Sequence, residues 1–156
     1  MGRVESVWDY PRPPRVERSD KRIVVRHRGV VVADSTAAYR VLETSHPPVY
    51  YVPAADVTPG VLERARGSSF CEFKGTAGYW DLTVDGTRVS AAAWSYDHPS
   101  PEYAVLAGAI AFYPGRVDEA TVGGERVRPQ EGDFYGGWIT ADITGPFKGG
   151  PGTRGW

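Results

Sequence analysis

Apolar positions in this chain fall in short β-branched and aromatic runs separated by glycine, proline and charge, a pattern that predicts many short strands and little helix. Ile23-Val24-Val25-Arg26-His27 and Val30-Val31-Val32-Ala33 flank Arg28-Gly29 and predict a first hairpin. Asp34-Ser35-Thr36 is a cap sequence for a short helical turn, and Tyr39 through Thr44 fits a strand or a helix equally. His46-Pro47-Pro48 ends whichever forms, and Val49-Tyr50-Tyr51-Val52 reads as a strand stopped by Pro53. The strongest local signal is Asp85-Gly86, a two-residue type I′ turn joining Thr76 through Val84 to Thr87 through Tyr96. With Val84 opposite Thr87, the register places Leu82 with Val89, Trp80 with Ala91 and Gly78 with Ala93 on a core face. The other face carries Thr83 with Arg88, Asp81 with Ser90, Tyr79 with Ala92 and Ala77 with Trp94, a mixture that predicts a shallow hollow floored by rings. Beyond a proline-bounded turn at His98-Pro99-Ser100-Pro101 lie a one- or two-turn helix through Ala107 and a strand over Ala109 to Tyr113. A last hairpin folds around Gly123-Gly124. The fold class is mostly β and antiparallel, a sandwich or open barrel with short helical turns.

The ends differ from this middle. Residues 1–18 hold Trp8-Asp9-Tyr10-Pro11-Arg12-Pro13-Pro14-Arg15, whose prolines predict an extended arm lying on a domain spanning 19–131. Residues 132–156 are glycine-rich with spaced aromatics, and Trp138, Phe147 and Trp156 predict docking on the domain or on a second subunit, hence a homodimer in the latter case. At 156 residues one domain is expected. Eighteen basic against nineteen acidic side chains argue against nucleic acid as a partner. The sequence contains no apolar run of membrane-spanning length and no leader-like h-region, so no membrane partner is expected. One cysteine excludes an internal disulfide and fits a cytoplasmic protein.

Candidate chemistry concentrates in Phe70-Cys71-Glu72-Phe73-Lys74-Gly75-Thr76-Ala77-Gly78-Tyr79-Trp80, which holds the single cysteine and a lysine fenced by aromatics. Cys71 is a candidate nucleophile, set against its ordinary role as a small hydrophobe. Lys74 is a candidate anion receptor or tuned amine. Glu43, between Leu42 and the His46-Pro47-Pro48 turn, is a candidate base or ligand acceptor, and His46 a candidate base. Arg40 neighbours Glu43 on a helix but not on a strand. Tyr79, Trp94 and Tyr96 are stacking candidates, whereas the register assigns Trp80 to the core. The glycine-rich stretches match neither a phosphate loop nor a dinucleotide fingerprint, and the acidic residues lack calcium-loop spacing. No metal and no cofactor are expected.

Val41 through Pro53, Cys71 through Trp80 and Ala93-Trp94-Ser95-Tyr96 resemble the domain-of-unknown-function family 427 over roughly Val24 to Val117. The Trp8 to Pro14 arm and the glycine-rich end are similar to its actinobacterial form. The resemblance implies the β-tent fold, two antiparallel sheets meeting at an angle, shared with methionine sulfoxide reductase B and the thalidomide-binding domain of cereblon. It implies no activity. Those relatives pin their sheets with zinc on paired Cys-x-x-Cys motifs, which one cysteine cannot supply, so a zinc-free version is expected. The tryptophan cage of the thalidomide-binding domain has its analogy here in Trp80, Trp94 and Tyr79. The resulting expectation is a small-molecule-binding protein with a pocket of Arg40, Glu43, Lys74, Tyr79, Trp94 and Tyr96. Its alternative is an enzyme on a small polar or nucleotide-like substrate, with Glu43 or His46 as base and Lys74 or Cys71 as electrostatic or nucleophilic group.

Overall fold

The computed structural model describes residues 4–132 and 135–156; residues 1–3 of the expected arm and residues 133 and 134 of the expected tail lie outside the described residues. In chain order the strands are β1 (Glu5–Ser6), β2 (Arg15–Arg18), β3 (Ile23–His27), β4 (Val30–Ser35), β5 (Tyr39–Leu42), β6 (Val49–Tyr51), β7 (Leu62–Cys71), β8 (Gly75–Val84) and β9 (Thr87–Ser95). They continue as β10 (Ala111–Phe112), β11 (Glu119–Val122), β12 (Glu125–Arg126), β13 (Arg128–Pro129), β14 (Trp138–Ile139) and β15 (Ile143–Thr144). Helix is confined to short 3-10 turns, including Pro101–Leu106. The sheets have the orders β10-β9-β8-β7, β12-β11-β3-β4 and β2-β5-β6, with two-stranded pairs β13-β14 and β1-β15. All pairings between these strands are antiparallel except β1 with β15, which joins the amino-terminal segment to the carboxy-terminal one.

All three predicted two-residue turns form for the expected reason. Arg28 and Gly29 (φ 48° and 75°), Asp85 and Gly86 (φ 52° and 75°) and Gly123 and Gly124 (φ 57° and 86°) occupy the left-handed region at both central positions, as a type I′ turn requires. The Asp34-Ser35-Thr36 cap does not start a helix. Instead β4 runs through Ser35, whose hydroxyl donates to Asp56 Oδ2 at 2.6 Å and accepts from the Ala37 N–H at 3.1 Å. The ambiguous Tyr39 to Thr44 segment becomes β5, because it is paired on both sides, by β2 and by β6.

The register of the β8–β9 hairpin holds only for the first three pairs. Beyond Leu82 with Val89, β9 carries two extra residues, so Trp80 faces Ala93, Tyr79 faces Trp94 and Gly78 faces Ser95. The Asp81 carboxylate organises this bulge. Its Oδ1 accepts from the Ala91 N–H at 2.8 Å where Ala91 has φ 48°, while Oδ2 accepts from Arg88 Nε at 2.9 Å and from Arg88 Nη2. A shift by two preserves which face each β8 residue occupies. Tyr79 and Trp94 therefore share a face and become direct partners.

That face distinction sets up the site. One side of the β7–β10 sheet contributes Leu82, Val84, Ala93 and Phe112 to a core shared with Ile23, Val25, Val32, Ala120 and Val122 from the β3-β4-β11 sheet. The opposite side contributes Ala77, Trp94 and Tyr96 to a second core with Val41 and Tyr51 from the β5–β6 ladder. The second core is the more aromatic, and its layer is incompletely filled.

Candidate functional site

Four chain segments close around a cavity of about 260 Å³ above the second core. From the β8–β9 ladder come Tyr79, Trp94 and Tyr96, and from the β7–β8 turn come Cys71, Phe73 and Lys74. The β5–β6 connection supplies Glu43, His46 and Pro47, and the carboxy-terminal segment supplies Gln130, Tyr135, Gly136 and Lys148. Gly75, at φ 109°, allows the three-residue reversal between Cys71 and its partner Gly75 that turns Lys74 inward. The Ser100 N–H, donating to the Lys74 carbonyl at 3.0 Å, fixes that reversal from the other side.

The floor is a hydrogen-bonded ring stack. Trp94 lies with its ring centroid 4.5 Å from Tyr113 and 6.2 Å edge-on from Tyr51, and its indole N–H donates to the Tyr51 hydroxyl at 3.2 Å. The Tyr79 hydroxyl donates to Ser69 Oγ at 2.9 Å. Burial holds Tyr96 above its ordinary value, and burial together with Tyr79 pushes Tyr113 up to about 12, so these phenols stay protonated donors. Gly136 is required against this stack, because a Cβ there would overlap the Trp94 indole. At Gly137 a Cβ would come within 2.6 Å of Pro47. The paired glycines thus let the carboxy-terminal backbone lie directly on the rings. Gln130 fastens it, its amide accepting from the Gly137 N–H at 3.1 Å and donating to the Lys148 carbonyl at 2.6 Å.

The rim is charged and unequally paired. Glu43 Oε2 accepts from Arg12 Nε at 3.3 Å and lies 3.8 Å from His46 Nε2. The His46 ring packs edge-on against Tyr135 at 4.9 Å, with Nδ1 3.4 Å from the Gln130 amide nitrogen. Burial, reinforced by the charges of Lys148, Arg12 and Lys74, lowers the His46 pKa to about 4, which leaves the ring neutral at pH 7. Lys148 reaches the Tyr135 face at 5.4 Å and the Trp156 carbonyl at 3.5 Å. Lys74 is 8% exposed, with its Nζ 5.8 Å from the Tyr96 ring centroid. Among the described residues its ammonium makes no hydrogen bond and no ion pair. Cys71 is half-buried in the cavity wall as a free thiol.

Among the described residues no three His, Cys, Asp or Glu side chains gather as a metal site. Nor is any helix there long and apolar enough to cross a membrane. Residues 15–123 match the family model for a domain of unknown function, DUF427. The chain belongs to this family. No functionally curated protein matches it.

Within this DUF427 member the structure gathers Glu43, His46, Cys71, Lys74, Tyr79, Trp94 and Tyr96 on one cavity. Arg40 is the exception. On β5 it points away from the cavity lining, holding Glu5 through Nη1 and Nη2 at 3.0 and 2.9 Å and Glu17 through Nε at 2.5 Å. The strand geometry separates it from Glu43, and its partners come from the arm, 23 and 35 positions away. Sequence reasoning also missed Tyr51, Tyr113, Gln130, Tyr135, Gly136 and Lys148. The last four lie beyond the DUF427-matched span, so one wall of the cavity is built outside the family's own segment. One signal for that wall was present in the sequence: the Gly136-Gly137 pair between Tyr135 and Trp138, which marks close backbone approach.

Proposed function

We propose that the protein binds a small planar molecule in the cavity between the β8–β9 ladder and the carboxy-terminal segment. The observation that carries this reading is the packed rings of Trp94, Tyr113 and Tyr51, with Tyr79 on the same wall, around a cavity of about 260 Å³. Fixed aromatic faces with a few polar groups at the rim are what a small-molecule site offers. The β-tent architecture expected from the sequence resemblance is in keeping with it; of the three residues of the cage analogy, Trp94 and Tyr79 line the cavity, whereas Trp80 packs on the other core. A fragment screen with the whole chain tests the reading, followed by nuclear magnetic resonance of the Trp94 indole N–H. Planar fragments should shift that signal, and Tyr79→Ala should weaken them by about tenfold, the worth of an aromatic contact with its buried area. Fragments that leave the Trp94 signal in place and are indifferent to Tyr79→Ala would defeat it.

A second reading is an enzyme on a small polar or nucleotide-like substrate. The matching family model carries an NTP-transferase label, and the cations at the rim suit phosphate. In that reading Glu43 or His46 is the base, and Lys74 or Cys71 the electrostatic or nucleophilic group. Binding without turnover is the better supported of the two. A histidine held near 4 is a weak acceptor of protons at pH 7, and Glu43 is already engaged by Arg12.

A further inference from the structure

Lys74 is a buried cation whose counter-charge is missing. Removing an ammonium from water is costly unless an anion or a set of acceptors replaces the lost hydration, and proteins rarely leave such a group bare. Lys74 is 8% exposed, and the described residues offer it only the face of the Tyr96 ring at 5.8 Å. A cation–π contact at that range is a partial substitute, and it leaves the ammonium's three donors unused. Two carboxylates line the same cavity: Glu43 is held by Arg12, and Glu72 is exposed and makes no ion pair with Lys74. The groups around His46 show the cations from another side: Lys148, Arg12 and Lys74 all disfavour its protonation.

We infer that the ligand is a planar ring bearing an anionic group, a carboxylate or a phosphate, which the Lys74 ammonium receives while the ring lies against Trp94 and Tyr79. This inference rests on the small-molecule reading above and narrows its ligand class. The volume sets the scale. About 260 Å³ lies just below the roughly 300–1,000 Å³ usual for drug-sized ligands, and so fits one or two fused rings with one charged substituent. The anion completes what the fold leaves open, converting a desolvated cation into a charge-assisted hydrogen-bonded pair.

The test uses the full chain and four defined probes: benzoate, phenyl phosphate, neutral benzamide and inorganic phosphate, each titrated against the Trp94 indole signal. At least one ring-bearing anion should bind about tenfold more tightly than benzamide, the size expected for a hydrogen bond to a charged group. Inorganic phosphate should bind more weakly than phenyl phosphate, since it leaves the rings uncovered. The stronger of benzoate and phenyl phosphate identifies the headgroup. Lys74→Met should erase the preference for anion over amide while keeping benzamide affinity within about twofold, and Lys74→Arg should retain most of the preference. If benzamide equals both ring-bearing anions, or if Lys74→Met leaves the preference intact, the charge assignment is wrong while small-molecule binding stands. If neither the anions nor the amide moves the Trp94 signal, the assignment falls, and the fragment screen then decides whether the broader reading falls with it.

Discussion

Arg40 and Lys74 are two cations withdrawn from water, and the fold treats them in opposite ways. Arg40, its side chain 16% exposed, forks both guanidinium ends onto Glu5 and closes its Nε onto Glu17. Tyr10 adds a hydrogen bond from its hydroxyl to Glu5 Oε1 at 2.6 Å. Every strong group in that cluster has a partner, and the result ties β1 and β2 to β5. Lys74 sits one core away with a ring face and a cavity. Saturation marks Arg40 as structural, and want of saturation is what the proposal of an anionic ligand at Lys74 rests on. Both residues were ligand-binding candidates in the sequence, Lys74 also a catalytic one. What separates them is who stands opposite, which the sequence does not list in order.

The largest expected effect comes from breaking the two sites in parallel. Arg40→Met leaves Glu5 and Glu17 facing each other without a cation and releases the arm, so stability should fall by about 3 kcal/mol, reduced from the fully buried case because both carboxylates are partly solvated. Lys74→Met keeps the length of the stem and removes an uncompensated charge, so it should raise stability by about 1 kcal/mol. Urea denaturation of the two variants measures both. Changes of the same sign would erase the distinction drawn between the sites.

How far the two regions were legible follows the range of the interactions that make them. The Arg28-Gly29 and Asp85-Gly86 turns were legible because positive φ at two adjacent positions is a local demand that a dipeptide satisfies by itself. The ring-lined face of β8 was legible from alternation alone, and the two-residue shift left it intact. The shift itself was hidden, since it depends on one carboxylate, Asp81, gathering the Ala91 N–H and Arg88 across a strand. β7 was missed altogether. It is an edge strand whose Glu63, Arg64 and Arg66 interrupt any apolar alternation, the kind of charge that guards an edge against foreign pairing. The partners of Arg40 and the wall made by Tyr135, Gly136 and Lys148 arise from chain ends meeting far from their sequence neighbours, and no local pattern reports that.

A second effect, with a ceiling of about 3 kcal/mol, sharpens the electrostatic side of the comparison through His46. Its folded pKa of about 4 lies below the ordinary 6.5, so between those values the unfolded chain binds a proton that the native cavity refuses. The contribution is complete above about pH 6.5 and is lost as the pH falls toward 4. His46→Gln should flatten the stability profile in that window, as measured by thermal unfolding across pH. Lys74→Met should raise the His46 pKa, because it removes one of the three charges that depress it, and a bound anion should act in the same direction. Titration of the His46 ring signals reports both. An unmoved pKa in Lys74→Met would mean that burial, with Lys148 and Arg12, controls the ring and that Lys74 has no part in it.

The smallest effect probes whether want of saturation extends beyond Lys74 into the loop behind the cavity wall. Ser45, between Glu43 and His46, is 1% exposed, and its hydroxyl is the one fully buried side-chain polar atom without a partner among the described residues. Its backbone is fully used: the N–H donates to the Val7 carbonyl at 3.2 Å and the carbonyl accepts from the Lys148 N–H at 2.7 Å. The residue also has φ 70°, a conformation that any L side chain resists. Ser45→Ala keeps the Cβ and the strained φ, so it isolates the hydroxyl, and deleting an unsatisfied buried hydroxyl should stabilise the protein by up to about 1 kcal/mol. Ser45→Gly relieves the φ as well, though its gain is set against the greater freedom of glycine in the unfolded chain. If Ser45→Ala destabilises instead, the hydroxyl has a partner such as an ordered water, and the polar surplus of the wall narrows to the cation at Lys74. If it stabilises, the loop that presents Glu43 and His46 shares with Lys74 the property that the Arg40 cluster lacks: polar groups placed at some cost to the fold, on the side of the molecule where a ligand would meet them.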